Sequence, residues 1–264
     1  DILHTFFTPA VMADIRDNLH ATYVRTGWIP DEFKFETVHW KREDEGMDAI
    51  CGAGLKAMIV VPNPQDDAKG VADLISSVHA FFDRYTKREF GCLRYAEITN
   101  EADLPRNGFD GVEQYAKYYE SVAPIVASFG VTVITSGTSG KDLPWTARLA
   151  QILRDADPRP PVDGYGFHPY GVPPDQMAEA TLEMRRAAGT PAGGQPPNVY
   201  VTEIGQENAA DLYRTIVDLA RATPAITIYE YLPQPGEDSR YGVKNDPARY
   251  RAVQRAWEYL HPHG

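Results

Sequence analysis

Eight short runs of β-branched or aromatic residues recur along the chain, each followed by a longer segment in which apolar residues return at helical spacing. Strands that all take a long helical crossover to the next one lie parallel, so this alternation restricts the fold to the α/β class. The runs are Ile2–His4, Thr22–Gly27, Lys56–Val61, Leu93–Thr99, Val131–Ser136, Gly164–His168, Val199–Glu203 and Ile226–Tyr231. Eight such pairs predict a single (β/α)8 TIM barrel. The 264 residues match the roughly 250 that one such barrel needs. The Pro/Gly-rich stretches Pro158–Gly164 and Gly189–Asn198 are too short for interdomain linkers, so residues 1–264 are read as one catalytic domain. A solenoid with a similar period is excluded because no repeat consensus recurs.

Composition narrows the partners. The net charge is −11, from 26 basic and 37 acidic residues, with no local basic patch. Nucleic acid and anionic lipid are therefore poor partners, and a neutral molecule fits better. No apolar run approaches the ~20 residues of a membrane span. Two cysteines, Cys51 and Cys92, are too few for a disulfide framework or a zinc cluster. They read first as two buried thiols. Both fall at the bottom face of the barrel, which leaves one bond between them open.

In a barrel of parallel strands the chemistry sits at the C-terminal strand ends. Three ends carry it here. The fourth run closes as Glu97-Ile-Thr-Asn100-Glu101, the sixth as Phe167-His168-Pro-Tyr170, and the seventh as Val201-Thr-Glu203-Ile-Gly205. In this order and spacing the chain resembles the clan A glycoside hydrolases, the 4/7 superfamily. There an Asn-Glu pair ends strand four and a Glu ends strand seven. The resemblance spans the whole chain on motifs two or three residues long, and it leans toward family 39. Family 5 members tend to present a His where this chain has Pro62-Asn63-Pro64.

The resemblance implies a retaining mechanism, with Glu101 as acid/base and Glu203 as nucleophile. Arg25, which closes the second run, takes the place of the Arg that holds the nucleophile. Asn100 takes the place of the residue that binds the sugar 2-hydroxyl, and His168 and Tyr170 that of a His-x-Tyr after strand six. Where relatives carry a Trp after strand eight, this chain has Tyr229-Glu230-Tyr231, and Trp28 closes the second run with another aromatic ring. All four are candidates for substrate binding. The loop Leu232–Val243 is expected to cover the cleft. No metal or other cofactor is expected, and the substrate is a polysaccharide or oligosaccharide, attacked from an open groove in endo fashion.

Two retaining carboxyl groups must lie about 5–5.5 Å apart. The chemistry predicts Glu203 ionised beside Arg25 and Tyr170. It predicts Glu101 drier, with its pKa raised by burial and by the charge of Glu203. Strand alternation puts Tyr95, Glu97 and Thr99 on the face of Glu101, so Glu97 is a buried charge that needs Arg25 or Lys56. Two other readings compete: a carbohydrate-binding barrel without turnover, and a metal-dependent isomerase or hydrolase using Glu101, His168 and Glu203. A polymer substrate places the protein in a secreted or periplasmic setting.

Overall fold

A computed structural model of the protein describes residues 7–27, 40–63, 68–87, 91–191, 194–232 and 239–262. The expected first strand, Ile2–His4, and Trp28 lie outside the described residues, as do residues 233–238 of the loop expected over the cleft. Seven parallel strands form one sheet in sequential order: β1 Tyr23–Gly27, β2 Lys56–Val61, β3 Leu93–Asn100, β4 Thr132–Ser139, β5 Gly164–His168, β6 Asn198–Ile204 and β7 Ile226–Ile228. Eight helices accompany them: α1 Pro9–Asp17, α2 Trp40–Gly52, α3 Ala68–Thr86, α4 Val112–Ser128, α5 Leu143–Asp155, α6 Met177–Ala188, α7 Ala209–Leu219 and α8 Pro247–Leu260. The architecture is that of a (β/α)8 barrel.

The helices begin where the sequence supplies a cap. Thr8, Asp142, Asn208 and Asp246 each accept a hydrogen bond from a first-turn amide of the helix they precede, and Pro9 and Pro247 occupy first-turn positions that need no donor. Asp14 ties α1 to the far end of the chain. Its carboxylate accepts from Lys244 Nζ at 2.9 Å, Tyr250 Oη at 2.8 Å and the Tyr231 hydroxyl.

Strand alternation divides the apolar residues between two layers. Ala57, Ile59, Ala96, Ile98, Val133, Val199 and Val201 join the large cluster under the helices. Their neighbours Met58, Ile134 and Tyr200, with Ala225 and the flanking Tyr23 and Tyr95, fill the barrel interior. Glycine makes room for them: a Cβ on Gly164 would stand 2.4 Å from the Tyr200 ring.

Two expectations are corrected. Strand β4 runs three residues beyond its predicted end, to Ser139, and β7 stops at Ile228 rather than Tyr231. Beyond β7 the chain turns to pair with its own return, Val243 N donating to Glu230 O and Lys244 N to Tyr231 O. Cys51 and Cys92 are joined as a disulfide, Cα atoms 5.4 Å apart, rather than left as thiols. The end of α2 and the start of β3 meet at the bottom face, because α2 leads into β2 and β2 pairs with β3, Ala57 N donating to Cys92 O at 2.9 Å.

Candidate active site

Two residues above the aromatic filling, the barrel interior changes to charge. Arg25 on β1 reaches two other strands, β3 and β6, at once. Its Nε donates to Glu97 Oε2 at 2.7 Å, its Nη1 to Glu203 Oε2 at 2.9 Å and its Nη2 to Asn100 Oδ1 at 2.6 Å. The guanidinium is a rigid donor fork, so one side chain sets the positions of three others. The predicted partner of Glu97 is thus Arg25 and not Lys56, which is exposed. Glu97 is fully buried and saturated with donors: Oε1 also accepts from Gly137 N and Thr202 Oγ1, both at 2.8 Å. Burial pushes its pKa up, but the Arg25 charge and the hydrogen bonds outweigh that and hold it at about 2.

Alternation fails just above Glu97. Thr99 and Glu101 have φ of 67° and 46°, in the left-handed region that a β-branched residue rarely enters. The turned backbone lets Asn100, three residues from Glu97, reach the same guanidinium, where regular pleating had predicted Thr99 on that face. Asn63 supports the turn, accepting from Asn100 N at 3.4 Å and donating to Asn107 O at 2.8 Å.

Glu203 is bonded on both oxygens, since Tyr170 Oη donates to its Oε1 at 2.6 Å. Glu101 faces it across the mouth and is bonded differently. Its Oε1 lies 3.2 Å from His168 Nδ1, and its Oε2 is 3.5 Å from Arg106 Nη2 on an exposed side chain. Burial raises the Glu101 pKa, yet the His168 contact and charge outweigh it and bring the pKa below the ordinary value. This reverses the expected rise. The partner shifts the other way: burial alone would lower the fully buried His168, but its bonds to Glu101 and Glu97 push it up to about 9.

One donor atom each from Glu101, His168 and Glu203 lies within 4.8 Å of the others. Such a triangle could hold a divalent ion in outline. Both Glu203 oxygens are already taken by Arg25 and Tyr170, and His168 by Glu101 and Thr202, so the donor set does not fit a metal centre.

The structure brings together Arg25, Asn100, Glu101, His168, Tyr170 and Glu203. It does not bring Tyr231 there, whose hydroxyl is spent on Asp14. Tyr229 stands at the rim, and Glu230 is tied by its backbone to Val243. Tyr241 was missed by sequence reasoning. Its ring lies 6.3 Å from that of Tyr170 and 6.2 Å from that of Tyr229, and it rests on Gly205, where a Cβ would come within 2.9 Å. The aromatic signal was present, but it sits in a loop with no periodicity to aim it.

No family model matches the chain, and no curated protein matches it by sequence. Solved structures do. The glucosidase from Croceicoccus marinus superposes with a TM-score of 0.73 at 15% identity, covering 95% of this chain and 63% of its own. The GH39 enzyme from Xanthomonas axonopodis pv. citri gives 0.73 at 14%, covering 98% and 64%. The endo-1,4-beta-mannanase from Rhizomucor miehei gives 0.62 at 12%, covering 96% and 90%. These neighbours are clan A glycoside hydrolases. The likeness is one of fold. This chain spans under two thirds of the length of the first two and nearly the whole of the mannanase.

Proposed function

We propose that the protein is a retaining glycoside hydrolase that cleaves a polysaccharide or oligosaccharide by double displacement. One observation carries the reading: carboxylate oxygens of Glu101 and Glu203 approach within 4.8 Å at the mouth, close to the ~5–5.5 Å of retaining enzymes and short of the ~6.5–9.5 Å that an inverting enzyme leaves for water. Glu203 is the nucleophile, oriented by Arg25 and Tyr170 so that a lone pair is presented to the anomeric carbon. Glu101 is the acid/base. Asn100 binds the sugar 2-hydroxyl, because Arg25 occupies its Oδ1 and leaves the amide N–H groups to donate.

Endo action on a polymer is in keeping with the endo-1,4-beta-mannanase among the structural neighbours. An oxidising setting, secreted or periplasmic, is supported by the Cys51–Cys92 bond. The test is intact-mass spectrometry after incubation with a panel of 2-deoxy-2-fluoro glycosyl fluorides, with peptide mapping of the adduct. A stable ester on Glu203 is expected, and the sugar that labels names the glycone. An ester on Glu97 or Glu230 would reject the assignment of the nucleophile.

A further inference from the structure

The hydrogen-bond chain behind Glu101 fixes the place of every proton but one. Glu97 is a carboxylate that accepts from Arg25 Nε, Gly137 N and Thr202 Oγ1. The single Thr202 hydroxyl proton is therefore spent on Glu97, and toward His168 Nε2, 3.1 Å away, Thr202 can only accept. Glu97 Oε1 is a second acceptor 3.4 Å from the same nitrogen. His168 Nε2 must carry a hydrogen. If the ring is neutral, Nδ1 is then bare, and the 3.2 Å contact with Glu101 Oε1 exists only if Glu101 is a carboxylic acid. If the ring is charged, the same proton sits on Nδ1 and Glu101 is a carboxylate. Packing permits no other arrangement: His168 is fully buried, and a Cβ on Gly137 would lie 2.3 Å from its Nε2.

We infer that His168 and Glu101 hold one transferable proton between them, with Glu97 and Thr202 fixing the ring nitrogen that faces the carboxyl. Its use in turnover rests on the glycosidase reading above. His168 is then a positioning residue that stores the proton and acts through Glu101. At rest the proton is on Nδ1. Transfer to Glu101 leaves a neutral Nε2–H imidazole and a carboxylic acid. The acid gives the proton to the glycosidic oxygen as the bond to the anomeric carbon breaks, its electron pair staying on that oxygen, while a Glu203 lone pair bonds the carbon. In the second half water bonds the carbon, the ester pair returns to Glu203, and the water proton passes to Glu101 and back to Nδ1.

Charges reach this pair from every side: Arg25 on β1, Glu97 on β3, Arg106 and Asp103 after β3, Tyr170 after β5 and Glu203 on β6. The three surrounding carboxylates favour the protonated pair. The pair titrates as a unit, so its apparent pKa belongs to both members.

The test needs no substrate. The full chain carrying 15N-histidine is titrated by NMR, the His168 signals being those lost in His168→Gln or, should that variant not fold, those moved by Thr202→Ser. The expected result is an Nε2 that stays protonated at every pH and an Nδ1 that titrates above the ordinary ~6.5 of histidine. In Glu101→Gln that midpoint falls by at least about two pH units, roughly a hundredfold change in proton affinity. A neutral ring protonated on Nδ1, or a midpoint indifferent to Glu101→Gln, overturns the inference. A fluorosugar ester on Glu97 or Glu230 with these NMR results in place would reject the assignment of the nucleophile above and leave the shared proton standing.

Discussion

The lower and upper halves of the barrel interior are built on the same strands, two residues apart, and they obey opposite rules. Below, Tyr23, Tyr95 and Tyr200 close around Met58, Ile134 and Ala225 as an apolar plug, and the Cys51–Cys92 bond pins the elements outside it. Above, Arg25, Glu97, His168 and Thr202 replace them with charges and hydroxyls that bond to one another and to Asn100, Glu101, Glu203 and the Gly137 amide. The lower half gains stability from burial alone and tolerates isosteric change. The upper half loses solvation for every charge it buries and recovers it only through near-ideal geometry, so it is stable as a whole and fragile in each member. A fold that holds two carboxyl groups face to face at its mouth needs both: a floor that does not depend on pH and a mouth that does.

Substitutions should separate the halves in order of effect. Glu203→Gln and Glu101→Gln remove the two groups proposed to react, and kcat is expected to fall by ~10⁴-fold or more with the fold intact by circular dichroism. Retained activity in Glu203→Gln would move the nucleophile elsewhere. Arg25→Met leaves Glu97 buried and unpaired, and thermal or urea unfolding should report a loss of about 3–5 kcal/mol. The same charge gives the mouth its pH dependence. Because the folded pKa of Glu97 lies below its unfolded value, its contribution is complete above about pH 5 and is lost as pH falls through that range toward 2. A Glu97→Gln variant should show a flatter acid limb in its unfolding curve.

Replacing Cys51 and Cys92 together by Ala tests the floor. Stability should fall by about 2–4 kcal/mol while kcat/KM at 25 °C is unchanged. A parallel loss of activity would show that floor and mouth are mechanically coupled. Tyr170→Phe is the smallest change. Removing one hydrogen bond to a charged Glu203 should reduce kcat/KM by about 10- to 100-fold, with the melting temperature shifted little.

Much of this was legible before folding. The order of strands and helices follows from local periodicity, and Arg25, Asn100, Glu101, His168, Tyr170 and Glu203 stood out as polar groups closing apolar runs. What escaped depends on distance across the chain. Glu97 was read as a buried charge, but its choice of Arg25 over Lys56 is decided by the register, which pairs Val60 with Glu97 and leaves Lys56 at the exposed start of β2. Tyr231 carried the same local signal as Tyr229, yet β7 ends at Ile228 and its hydroxyl is taken by Asp14, 217 residues away.

The sequence by itself determined the fold class and the two carboxylates, because periodicity, turn chemistry and strand-end residues act over a few positions. The tertiary structure alone decided the protonation pattern of the mouth and the pairing of Cys51 with Cys92. Both depend on atoms from separate elements coming within bonding distance. That proximity is set by how one element packs on another, and it is not written in any one segment.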